Sequence, residues 1–159
     1  MEQKNLVIQY DEYLDNGELS REDALLLERA VEATKSAYAP YSNFKVGAAL
    51  MLSNGEVIAA SNQENAAYPS GLCAERVAIF YAHAKYPNES ILSIAVTAVV
   101  NGVQCETPTY PCGACRQVMA ESQQRGGHPF KIIIGGSRVT QVVKSADSLL
   151  PLVFNNLPK

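Results

Sequence analysis

The chain has no run of eighteen apolar residues, and its opening Met1-Glu2-Gln3-Lys4-Asn5 leads into no long apolar segment. Neither a membrane-spanning helix nor a secretory leader is therefore expected, and the protein is placed in the cytoplasm with no membrane partner. Positive charge is not in excess either: 13 Lys and Arg against 16 Asp and Glu give a net charge of −3 and a pI of about 5.4. Nucleic-acid binding is driven mainly by basic side chains meeting phosphates, so no nucleic-acid partner is expected and a small neutral ligand suits the chain better. Internal repeats and low-complexity stretches are absent. At 159 residues the chain is the size of one domain, able to bury about two thirds of its unfolded surface around one core.

What the chain does have is four cysteines, three of them in two short pieces, Cys73-Ala74-Glu75 and Pro111-Cys112-Gly113-Ala114-Cys115. In a secreted chain they would read as two disulfides, but Cys-x-x-Cys without a leader fits reduced, metal-bound thiols better. Cys112 and Cys115 lie on one face of the first turn if a helix starts there, and Pro111 stops any earlier helix. At such an N-terminus the macrodipole favours thiolate over thiol. With Cys73 the count is three, the number of protein ligands a catalytic zinc keeps while leaving its fourth position to water. The competing reading is a closed structural zinc with Cys105 as fourth ligand. The two histidines, His83 and His128, read as a helix-face and a loop residue, not as ligands. Glu75 separates the two zinc readings: two positions after a ligand, it can move protons beside the metal, and a purely structural site has no use for it.

Cys-Ala-Glu followed by Pro-Cys-x-x-Cys resembles the zinc deaminase signature in its cysteine version. Residues Ala39 to Ala49, Asn62-Gln63-Glu64-Asn65-Ala66, Cys73 to Arg76, Pro111 to Gln117 and Leu149-Leu150-Pro151 are, in that order, similar to the homotetrameric cytidine deaminases. The resemblance spans about residues 30 to 155. It implies one Zn²⁺ per chain on Cys73, Cys112 and Cys115, with Glu75 as the proton carrier. Arg76 would donate to the thiolate sulfurs and offset their charge. It also implies substrate-binding roles for Phe44, Asn62, Glu64, Ala74 and Phe154: Asn62 and Glu64 on the ribose 3′-hydroxyl, Phe44 as a wall against the pyrimidine, and Phe154 reaching into a neighbouring subunit's site. The implied activity is hydrolytic deamination of cytidine and deoxycytidine in pyrimidine salvage by a homotetramer. A deaminase of another cytosine-bearing compound and a non-catalytic zinc module are the alternatives.

Periodicity places these pieces. Ser20 and Asp23 resemble a capping signal for a helix that carries Leu26, Leu27, Ala30 and Val31 inward and ends near Tyr38. Phe44–Leu52 and Glu56–Ala60 form a hairpin about Asn54-Gly55. Gly47-Ala48-Ala49 reads as a place of close backbone packing. Cys73 opens a helix to about Ala82. Ile91–Val100 is a strand buried on both faces. A second metal helix runs from Cys112 to about Gln124, strands follow at Lys131–Ile134 and Arg138–Lys144, and a short helix lies near Ser145–Leu150. The expected fold is a layered α/β/α domain with a mixed five-stranded sheet opening with the hairpin. Residues 1–19, with a turn at Asp15-Asn16-Gly17, are an N-terminal extension forming a peripheral strand or arm, and 20–159 are the catalytic domain.

Overall fold

A computed structural model describes residues 1–155. The elements are β1 (Asp11–Tyr13), α1 (Arg21–Ala33), β2 (Phe44–Leu52), β3 (Val57–Ser61), α2 (Ala74–Lys85), β4 (Ile91–Val100), β5 (Val103–Gln104), α3 (Gly113–Gly126), β6 (Lys131–Gly135) and β7 (Thr140–Val143). Helix α1 starts where the Ser20 hydroxyl accepts from the Asp23 amide at 3.1 Å, with Glu22 and Asp23 in the first turn facing the positive end of the helix dipole. It passes into a 3-10 turn at Thr34–Ser36, close to the expected end. The short helix foreseen near Ser145–Leu150 is a 3-10 turn at Ala146–Ser148.

The strands form one sheet in the order β1-β7-β6-β4-β2-β3, with β5 on the end of β4. All pairings are antiparallel except β4 with β6, so the sheet is mixed as expected. It has seven strands, not five. The additional two are β1 and β5, whose three and two residues are too short for a period of two to show. β1 is held by pairing with the edge of β7 and by an ion pair between Lys144 and Asp11 at 3.3 Å. β5 folds back through Asn101-Gly102, whose φ angles of 52° and 79° are those of a tight hairpin turn.

Alternation along the strands makes two cores. On one face Leu50, Leu52, Ile94, Ile132 and Ile134 pack against Ile79 of α2 and Met119 of α3. On the other, Ala49, Ala95, Ile133 and Val142 meet Leu26, Leu27 and Ala30 of α1. Gly47 lets α1 come close: a Cβ there would lie 2.0 Å from the Ala30 carbonyl oxygen. The sheet is thus sandwiched, and α2 and α3 lie on the same face with their N-termini brought together.

Candidate active site

Cys73 and Cys112 occupy the residue just before α2 and α3 respectively, each in extended backbone, and neither side chain caps its own helix. A thiol is a weak acceptor, so the two sulfurs are left free for each other. Cys73 Sγ lies 3.8 Å from Cys112 Sγ, and Cys112 Sγ lies 3.5 Å from Cys115 Sγ. The three sulfurs all fall within 4.8 Å of one another. A tetrahedral zinc with Zn–S bonds of about 2.3 Å requires sulfurs about 3.8 Å apart, so the donor set fits that ion in both chemistry and spacing. These separations are far beyond a disulfide bond, and all four cysteines are free thiols. Cys105 stands apart from the group, its amide bonded to Ala98 O and its carbonyl to the Ser137 amide, both at 2.9 Å. His83 pairs with Ser122 and His128 with Ser90, and neither belongs to the thiol group.

The sulfurs share protons unevenly. A hydrogen bond with Cys115, with help from Arg76 and Cys112 and against the effect of burial, brings the Cys73 thiol down to about 5. The same bond, with burial, pushes the Cys115 thiol up. Arg76 Nη2 donates to Cys73 Sγ at 3.9 Å. Burial acts to neutralise this guanidinium, but the Cys73 sulfur more than compensates and raises its pKa. Its Nε is buried without a partner.

Glu75, in the first turn of α2, is 3% exposed. Burial, reinforced by the charge of Cys73, raises its carboxyl to about 6. Among the described residues its Oε2 has no hydrogen-bond partner, and yet the residue lines a cleft of about 970 Å³. A buried carboxylate oxygen left unpaired is costly, and such a group facing a cleft is placed to bind or move a proton.

The cleft joins most of the residues singled out from the sequence: Phe44, Asn62, Glu64, Cys73, Glu75, Arg76 and Cys112 all line it. Asn62 is almost fully occupied by its own chain. Its Oδ1 accepts from the Val46 amide at 2.8 Å, and its Nδ2 donates to the Phe44 carbonyl at 2.9 Å, which leaves one amide hydrogen. Glu64 accepts from the Tyr41 amide at 2.9 Å, the Ser42 amide at 3.3 Å and the Ser42 hydroxyl. These bonds, the Ser42 hydroxyl first and the Tyr41 amide next, hold its pKa below the ordinary value. Glu64 therefore locks the turn before β2, where Asn43 sits at φ 54°, and Asn62 holds the first residues of β2 itself.

Two residues fall elsewhere. The Ala74 methyl is fully buried in the core beneath the start of α2 and does not line the cleft. Phe154 is exposed, and its carbonyl accepts from Gln117 Nε2 at 2.9 Å outside the cleft. Tyr110 and Ala114 also line the cleft and were missed. Their only sequence signal is adjacency to Pro111-Cys112 and to Cys115.

The cytidine and deoxycytidylate deaminase zinc-binding region matches residues 20–126. A cytidine deaminase of Halalkalibacterium halodurans is 46% identical over 97 residues, 61% of this chain and 69% of that one. A probable cytidine deaminase of Dictyostelium discoideum is 36% identical over 133 residues, 81% of this chain and 84% of that one. Among solved structures, the cytidine deaminase from Burkholderia pseudomallei superposes with a TM-score of 0.68 at 39% identity, covering 86% of this chain and all of that one.

Proposed function

Because the chain belongs to the cytidine and deoxycytidylate deaminase zinc-binding family, we infer that it is a zinc-dependent hydrolase. It converts cytidine and deoxycytidine to uridine and deoxyuridine with release of ammonia, a step of pyrimidine salvage. The observation that supports this most is Glu75, a buried, unpartnered carboxylate in a cleft shared with two of the three clustered thiols.

Cys73, Cys112 and Cys115 would hold the ion. Bound there, zinc would supply a water acidified to a pKa of about 7. Glu75 accepts the proton of the attacking water at Oε2 and passes it to ring N3, making C4 electrophilic. It then moves a proton onto the departing amine, so that water is consumed and ammonia released. Three thiolates on a divalent ion leave a net charge of 2 − 3 = −1, and the Arg76 guanidinium offsets it. The remaining Asn62 amide hydrogen and the Glu64 carboxylate hold the ribose 3′-hydroxyl, while Phe44 walls the pyrimidine. Ala74 acts through its main chain, since its amide, at the first position of α2, has no intrahelical acceptor.

The finer assignments follow the same reading. Residues 20–159 form the catalytic unit, and the working form is a homotetramer in which Phe154, exposed and outside its own cleft, reaches a neighbouring subunit's site. The enzyme acts in the cytoplasm on a free nucleoside, without nucleic-acid or membrane partners. A spectrophotometric assay on cytidine, with ammonia and zinc determined in parallel, tests the central reading. Turnover with about one zinc per chain is expected. Zinc binding with no deamination of any cytosine compound would make the thiols a structural staple instead.

A further inference from the structure

The residues before α1 contribute little to either core: of 11–19 only Leu19 is buried. Two of their polar side chains nevertheless bond the β6–β7 turn and β7, which in turn hold the loop that leads into the thiol cluster. Asn16 Nδ2 donates to the Gly136 carbonyl at 3.1 Å, and Asn16 Oδ1 accepts from the buried Thr140 hydroxyl at 2.6 Å. Asn16 thereby spans the turn between β6 and β7. That turn carries the start of the loop 105–111: Ser137 N donates to Cys105 O at 2.9 Å, and Arg138 N and Val139 N both donate to Glu106 O at 3.1 Å. The approach is tight, since a Cβ on Gly136 would lie 2.3 Å from the Glu106 carbonyl oxygen.

The far end of the loop is held in a parallel way. Tyr110, which lines the cleft, donates its hydroxyl to Gln141 Oε1 at 2.6 Å. Gln141 Nε2 donates in turn to Glu12 Oε2 on β1 at 2.6 Å. With its Nε2 donating to Glu12 and its Oε1 accepting from Tyr110, the Gln141 amide is fixed in one orientation, and the tyrosine hydroxyl is held with it. Pro111 and Cys112 follow directly, so a displacement of Tyr110 passes into the thiol cluster with little backbone freedom to absorb it.

We propose that residues 11–19 brace the cleft wall: through Glu12 and Gln141, and through Asn16 on the β6–β7 turn, they position Tyr110 for nucleoside binding. Glu12, Asn16 and Gln141 are positioning residues and act on substrate only through Tyr110. A segment that merely covered the edge of β7 would need the β1 pairing alone, not this relay of side chains.

The kinetic arm of the test rests on the cytidine deaminase reading, whereas the structural arm does not. Glu12→Ala and Gln141→Leu should each raise the KM for cytidine about two- to tenfold, the effect of one lost hydrogen bond, with kcat little changed and zinc retained. Glu12→Gln keeps an acceptor oxygen and should restore the parental KM. The double variant Glu12→Ala/Tyr110→Phe should be no worse than the worse single, because both cut the same relay. Independently, amide hydrogen exchange across residues 105–112 should accelerate in Gln141→Leu without substrate. A parental KM or a parental exchange rate in Gln141→Leu overturns the brace. If the parent protein fails to deaminate cytidine at all, the functional reading falls, and the exchange measurement alone decides.

Discussion

Replacing Glu75 with alanine separates an enzyme from a metal-stapled fold more directly than any ligand substitution, which would remove zinc and activity together. The side chain is 3% exposed, and Oε2 makes no hydrogen bond among the described residues, so little native bonding is lost. The carboxylate is also not one of the three clustered sulfur donors. Glu75→Ala should therefore fold, with a Tm within a few degrees of the parent, since 1 kcal/mol moves a domain of this size by about 2–4 °C. It should also retain about one zinc per chain. Turnover should collapse. One general acid–base role is worth about 10²- to 10⁴-fold, and in the proposed mechanism the same oxygen serves water deprotonation, N3 protonation and amine departure. The loss in kcat should reach at least about 10³- to 10⁴-fold, which is about 4 to 5.5 kcal/mol of transition-state stabilisation. The assay follows loss of the cytidine amino chromophore and release of ammonia, with zinc determined on the same sample. A variant that binds zinc normally and deaminates cytidine within about tenfold of the parent would refute the mechanism, because that lies below the range for even one such role.

Long elements were legible because their patterns are sustained: the apolar run Ile91–Val100 and the shorter run Ile132–Ile134 mark strands buried on both faces, and Leu26, Leu27 and Ala30 carry the helical spacing. β1 and β5 are fixed instead by pairing with β7 and β4, which no local pattern reports. Asn101-Gly102 did carry the hairpin chemistry for β5, in the same form as Asn54-Gly55, but without a second apolar run long enough to pair. The thiol cluster was legible in halves. Cys112 and Cys115 are brought together by one helical turn, whereas Cys73 joins them only because α2 and α3 pack side by side on one face of the sheet. Bonds spanning long sequence separations were not legible at all. Glu64 grips Tyr41 and Ser42, and Tyr110 reaches Glu12 by way of Gln141; in both cases the partners are ordinary polar residues whose pairing depends on strands being in register. Ala74 shows the converse. Its place within the motif suggests contact with substrate, but the first turn of α2 points its methyl into the core.

Three further substitutions test separate parts of the structure. Cys105→Ser should keep both zinc and activity, since Cys105 engages its neighbours through its main chain and stands outside the thiol group; loss of zinc would favour the closed four-thiolate site. Gly47→Ala should destabilise the fold by about 1–3 kcal/mol in urea titrations, because the new methyl meets the Ala30 carbonyl and α1 must move; unchanged stability would mean that α1 is not seated as described. Glu64→Ala should raise the KM for cytidine about 10- to 100-fold, the scale of a lost hydrogen bond to a charged group, while leaving the reaction with free cytosine, expected to be poor in the parent, almost unaltered. The carboxylate holds the turn at Tyr41 and Ser42 and, in the proposed mechanism, also accepts from the sugar; the cytosine comparison separates the two. If the turn alone mattered, Phe44 would shift and both substrates would suffer together; if the sugar contact dominates, only the nucleoside suffers. The Ser42 hydroxyl and Tyr41 amide keep the folded pKa of Glu64 below its ordinary 4.5. Stability from these bonds is therefore present above that value and lost as pH falls through the lower folded pKa, so any rise in KM from this contact should set in at a lower pH than for an ordinary carboxylate. Equal kcat/KM for cytosine and cytidine in the parent would remove the sugar contact from the mechanism altogether.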